Sequence, residues 1–177
     1  MRRRPFLLGL LALLSSTLVA GAALPAGAGG SKPPDVPQEI VIPAGHKVVL
    51  DVEGKGVQIY DCKPSATGLA WTFREPAAVL YGRGHHPVGI HFRGPTFESF
   101  DGSSVVGTLD GTKTVPGAIP WLRLKATSTG DGVLAGVDFI HRIETRGGTA
   151  PTEACDPATD STLAVPYRAR YVFYAAA

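Results

Sequence analysis

Cysteine is almost missing from this sequence: two occur in 177 residues, Cys62 and Cys155. Neither has a His or a second Cys at ligand spacing, which argues against a zinc or cluster module. Two lone thiols in an oxidising compartment are instead expected to pair, and closing so long a loop stabilises by about 4–5 kcal/mol in the chain-entropy model. Missing too is any amphipathic helix of three turns, and no internal repeat is visible. There is no Gly-x-Ser-x-Gly elbow, so Ser103 and Ser104 read as turn residues rather than nucleophiles. Gly54-Lys55-Gly56 and Gly82-Arg83-Gly84 lack the third glycine and following helix of a dinucleotide fingerprint, which excludes a nicotinamide-dependent dehydrogenase. No cofactor is expected.

An excess of one charge sign is also lacking. The chain has 17 Lys plus Arg against 15 Asp plus Glu. Three of the cations, Arg2, Arg3 and Arg4, belong to an N-terminal leader that contains no acid, which leaves 14 against 15. The small basic excess therefore belongs to the leader, and nothing points to nucleic acid as a partner. That leader has the only long apolar run, Phe6 to Ala20, followed by small-residue cleavage sites at Ala20-Gly21-Ala22 or Ala26-Gly27-Ala28. It reads as a signal peptide over residues 1–28, removed on export and leaving no membrane span. Arg3-Arg4-Pro5-Phe6-Leu7 also overlaps a twin-arginine pattern. No Cys lies near the cleavage region, so a lipid anchor is not expected.

What is abundant is glycine, 22 residues, and proline, 15, the punctuation of a strand-and-turn protein. A Pro-rich flexible leader over 29–37 precedes one β domain over 38–177. Short strands are expected at 39–42, 69–74, 119–127, 137–145 and 167–174. A hairpin is expected with Val48 to Val52 as one arm, Gly54-Lys55-Gly56 as its turn and Val57 to Cys62 as the other arm. Asp110-Gly111-Thr112-Lys113 reads as a further turn. On the strand 119–127, Leu122, Leu124 and Ala126 share one face. On 137–145 Val137, Phe139, His141 and Ile143 do, and on the last strand Tyr167, Ala169, Tyr171 and Phe173 do. Such a series predicts a single antiparallel β-sandwich or barrel-like domain with one disulfide.

The densest group of ionisable side chains beside tight turns lies between Val88 and Gly107. Val88, Ile90 and Phe92 alternate with Gly89, His91 and Arg93; Gly94-Pro95 then makes a corner, and Asp101-Gly102-Ser103 a turn. His91, Arg93, Glu98 and Asp101 form the candidate polar site, on the expectation that the corner folds Glu98 and Asp101 back toward His91. Carboxylates gathered there would raise the histidine's pKa. His85-His86 reads as a surface loop, since neighbours on an extended segment point apart. His141, Arg142 and Glu144 read as a strand with an ion pair. Tyr60, Trp71, Trp121, Tyr171 and Tyr174 read as core, or as a platform for sugar rings.

Several ordered motifs carry a resemblance. They are Gln58-Ile59-Tyr60-x-Cys62, then Val88-Gly89-x-His91-x-x-Gly94-Pro95-Thr96 with Glu98, and Asp101-Gly102-Ser103. Ile119-Pro120-Trp121-Leu122 and Gly147-Gly148-Thr149-Ala150-Pro151 with Cys155-Asp156 follow, then Val165-Pro166-Tyr167 with Tyr171 and Phe173-Tyr174. Together they resemble the secreted bacterial and fungal family catalogued as domain of unknown function 3455. Phe97 stands where that family usually has Trp, and Arg123 interrupts its usual Leu run. The resemblance implies secretion, a single domain and paired cysteines, but no activity. Two classes of function follow from the chain as a whole. One is an extracellular binding or surface-associated module for an unknown small molecule, glycan or cell-surface component. The alternative is an exported hydrolase-type enzyme working through His91, Glu98 and Asp101.

Overall fold

The computed structural model describes residues 31–177, and the expected signal peptide over 1–28 lies outside the described residues. Eight strands run in chain order: β1 (His46–Ser65), β2 (Gly68–Tyr81), β3 (Pro87–Phe92), β4 (Thr96–Ser99), β5 (Ser104–Val115), β6 (Ala118–Thr129), β7 (Val137–Gly147) and β8 (Thr162–Ala176). Each pairs antiparallel with its sequence neighbours, and β8 pairs back onto β1, from His46 opposite Ala176 to Asp61 opposite Thr162. The sheet is therefore a closed up-and-down barrel rather than two stacked sheets, and it has no free edge. A barrel of this strand number has an interior that side chains fill, or that holds one small ligand. Among the described residues no helix is long and apolar enough to cross a membrane.

Two glycines in mid-strand correct the expected hairpin. Gly54 and Gly56 do not turn the chain; β1 runs straight through them. A Cβ at Gly54 would overlap the Tyr171 ring, and one at Gly56 the Ala77 carbonyl and Ala78. These positions need the absence of a side chain for close approach, not for a turn. Likewise Asp110-Gly111 lies within β5 at a register shift against β6, and a Cβ at Gly111 would meet the Glu39 carbonyl. Residues 39–42, expected as a strand, instead follow or belong to a single 3-10 turn, Gln38–Ile40.

The interior is filled from β8 and its neighbours by Tyr167, Ala169, Tyr171 and Phe173 with Val52, Leu80, Phe97, Val105, Leu124 and Ile140. A second cluster lies outside the barrel wall. There Ile40, with Val36 and Ile42, packs over Val48, Ile143, Val172 and Tyr174. The His141 ring ties this strap down: Nε2 donates to the Ile40 carbonyl at 2.7 Å, and Nδ1 accepts from the Tyr174 hydroxyl at 3.0 Å.

The two ends of the barrel differ. At one, the loop between β6 and β7 folds inward and places Leu134 in the core as a plug. At the other lie the β1–β2, β3–β4 and β5–β6 turns, together with the long β7–β8 connection, which Cys155 joins to Cys62 of β1. The expected disulfide is present, with its Cα atoms 5.7 Å apart.

Candidate functional site

The structure distributes the four sequence-predicted site residues over different surroundings. On β3 the interior face carries Gly89 and His91, while Ile90 faces outward, the reverse of the apolar alternation. Position 89 has to be glycine, because a Cβ there would overlap the Glu98 carbonyl of the paired strand. His91, 3% exposed, then stacks on Phe97 with ring centroids 3.9 Å apart and meets Tyr171 edge-on at 5.2 Å. Its Nδ1 lies 2.9 Å from the Thr96 carbonyl, which can only accept, so Nδ1 carries the proton and Nε2 is the lone-pair nitrogen.

Glu98 neighbours Phe97 on β4, where side chains alternate, and it is exposed on the outer wall. Arg93 is exposed too, and its Nε donates to Glu75 at 2.8 Å. The corner does not bring these two to His91. The histidine's pKa is accordingly not raised by carboxylates; burial lowers it to about 4.

Asp101 serves the opposite end of the barrel. Its Oδ1 accepts from the Ser103 hydroxyl at 2.6 Å and the Ser103 amide at 2.9 Å, and its Oδ2 from the Val133 amide at 2.8 Å. The Ser103 hydroxyl accepts in turn from the Leu134 amide at 3.2 Å. The pair locks the β6–β7 loop in place so that Leu134 plugs the barrel. The Ser103 hydroxyl first, then the amides, hold the Asp101 carboxyl well below the usual carboxylate range. Replacing Asp101 with Ala is expected to lower the melting temperature by several degrees while leaving events at the other end untouched. Differential scanning fluorimetry reads the first effect, and an unchanged melting temperature would refute the lock.

At the turn end a cavity of about 290 Å³ enters the barrel. Its apolar walls include Phe73, Pro76, Phe97, Ile119, Leu122 and Leu124, and Phe73 stands 51% exposed at the rim. His91, Gln58, Tyr60, Tyr171 and Arg142 supply its polar surface. Arg142 reaches the interior through an irregularity in the wall. The β6–β7 ladder breaks between Ala118 and Leu122, where Pro120 has no N–H to give. Side chains replace the missing backbone bonds: Thr145 Oγ1 donates to the Ile119 carbonyl at 2.6 Å, and Arg142 Nε and Nη2 donate to the Pro120 carbonyl at 3.2 and 3.0 Å. Across the other seam Arg142 sits opposite Tyr171. Burial lowers the Arg142 pKa, against the neighbouring Tyr171, Tyr167 and Tyr60 phenols, and burial raises those of Tyr167 and Tyr171.

Gln58 and Arg142 were not among the sequence-predicted site residues. A bulge between Val137 and Phe139 shifts the phase of β7, so Ile140 and Arg142 face in, while Phe139 and Ile143 lie under the N-terminal strap. Of the five aromatics proposed as core or platform, Tyr60 and Tyr171 line the cavity and Trp121 packs against the outer cluster. Among the described residues no group of three or more His, Cys, Asp or Glu is placed to hold a metal ion.

No curated protein and no solved structure matches the chain. The family model described as a protein of unknown function, DUF3455, matches residues 43–175, which takes in nearly the whole barrel from β1 to β8, and the chain belongs to that family.

Proposed function

We propose that this is an exported binding module that takes a small, largely apolar molecule into the turn end of its barrel. The observation that carries the reading is the cavity itself: about 290 Å³, walled by aromatic and aliphatic side chains with a few convergent polar groups. That is the usual make-up of a small-molecule site, at the small end of its size range. The disulfide favours an oxidising compartment, in keeping with export. The hydrolase alternative needs a carboxylate beside His91, and Glu98 and Asp101 lie on the outer wall and at the far end.

The test is displacement of a solvatochromic naphthalene dye from the purified mature protein by small aromatic and short-chain compounds. Leu122→Trp should fill the cavity and abolish dye binding with the melting temperature largely kept. Dye binding that persists in this variant, or never occurs in the wild type, would overturn the reading.

A further inference from the structure

The polar side of the cavity is rich in hydrogen-bond donors and holds no acid. Arg142 is half-buried, and two of its five N–H groups remain after the two bonds to the Pro120 carbonyl and one to the Tyr171 hydroxyl. Among the described residues it has no carboxylate partner, whereas Arg123 pairs with Asp110 at 2.8 Å and Arg170 with Asp51 at 2.7 Å. Gln58, 2% exposed, also lines the cavity; its amide adjoins the Tyr167 hydroxyl, but Nε2 makes no hydrogen bond of good geometry. The Tyr171 hydroxyl on the cavity wall pairs with the Tyr167 hydroxyl at 3.0 Å and adjoins the Arg142 guanidinium. Against these donors the wall offers the lone pair of His91 Nε2, because Nδ1 is engaged by Thr96.

A desolvated guanidinium without a counter-ion and a buried amide donor without an acceptor are both unfavourable, and a native fold rarely keeps the two together without use. We infer that the ligand carries a carboxylate, received by Arg142 and Gln58, with its apolar body against Phe73, Pro76, Leu122 and Leu124. The inference rests on the binding reading above and gives the chemical class of the ligand. A planar monoanion matches the fork of one guanidinium flanked by neutral donors. A strongly charged dianion finds no second cation inside, since Arg74, at the rim, is already paired with Asp61 at 2.8 Å.

The experiment is calorimetric titration of the mature, oxidised protein with phenylalkanoates and medium-chain alkanoates, each beside its primary amide. Carboxylates are expected to bind about tenfold to a hundredfold more tightly than the matched amides. Arg142→Gln should remove that preference while keeping the weaker amide binding, and Gln58→Leu should reduce it. Equal binding of acids and amides by the wild type would overturn the carboxylate assignment and leave the binding reading standing. Binding of neither would overturn both. The wild-type comparison needs no variant, so it decides the matter even if Arg142→Gln fails to fold.

Discussion

Replacing Cys62 and Cys155 with Ser is expected to destabilise the barrel by about 4 kcal/mol, with about 5 as the ceiling set by chain entropy. The bond spans a sequence separation of 93, so cutting it returns a large closed loop to the unfolded ensemble. In the folded state its effect is local. Cys62 lies where β1 runs on past its last pairing with β8, and Cys155 lies in the connection between β7 and β8, of which little is regular. That connection is otherwise tied mainly at its ends: the Tyr60 hydroxyl donates to the Gly148 carbonyl at 2.6 Å, the Gly148 amide to the Pro166 carbonyl and the Cys62 amide to the Ser161 carbonyl, while Asp156 caps a turn of its own. β1 and β8 remain zipped without the disulfide, so the variant should still fold as a barrel with the β7–β8 connection loosened. Urea unfolding under non-reducing conditions should show a lower midpoint, and limited proteolysis should cut first between Gly148 and Ser161. Coincident unfolding curves for the variant and the wild type would sink this account.

How far the chain could be read beforehand depended on whether a strand has one wet face. On β6 the charged Arg123 and Lys125, and on β8 Arg168 and Arg170, mark the outer face. The faces read from Leu122, Leu124 and Ala126, and from Tyr167 to Phe173, are those that meet the core, although Val172 and Tyr174 are covered from outside by the strap. Strand β7 has both faces covered, one by the interior and one by the strap from Val36 to Ile42, so apolar alternation carries no phase there. Arg142 was invisible for that reason: its inward direction follows from a bulge. Glycine was read as turn punctuation at Gly54, Gly56 and Gly111, where it serves close approach to Tyr171, Ala77 and Glu39. Nothing local separates these two uses, because the group that needs the space comes from elsewhere in the chain. Between Val88 and Gly107 ionisable residues are dense in sequence, which points to a polar site there. A β-strand sends neighbours to opposite faces, so density along the chain became separation in space, with His91 inside and Glu98 outside.

His91 should make the barrel lose stability in mild acid, between about pH 6.5 and 4. Its folded pKa is lowered to about 4 from an unperturbed value near 6.5, chiefly by burial, with the Arg142 charge adding to the shift. The unfolded chain therefore takes up a proton at His91 across this window while the folded chain does not. Stability from this group is fully present above the unfolded value and declines as pH falls toward the folded one. A shift of this size corresponds to about 3 kcal/mol at full expression, at 1.36 kcal/mol for each pKa unit. His141 is shifted the same way by burial, and His46, raised by its bond to the Pro43 carbonyl, acts in the opposite sense. The depressed Asp101 carboxyl has a separate window, since its contribution is lost only as pH falls below the unfolded carboxylate value, about 4. His91→Phe keeps the stack on Phe97 and removes the titrating group, at the loss of the bond to the Thr96 carbonyl. The variant is thus expected to start less stable at neutral pH and to show a shallower slope, by up to one proton, between pH 6.5 and 4. Unfolding free energies measured across that range for both proteins give the difference directly. Parallel slopes, or a His91 imidazole found protonated by NMR at pH 5.5, would mean that the ring is not held neutral by the barrel interior.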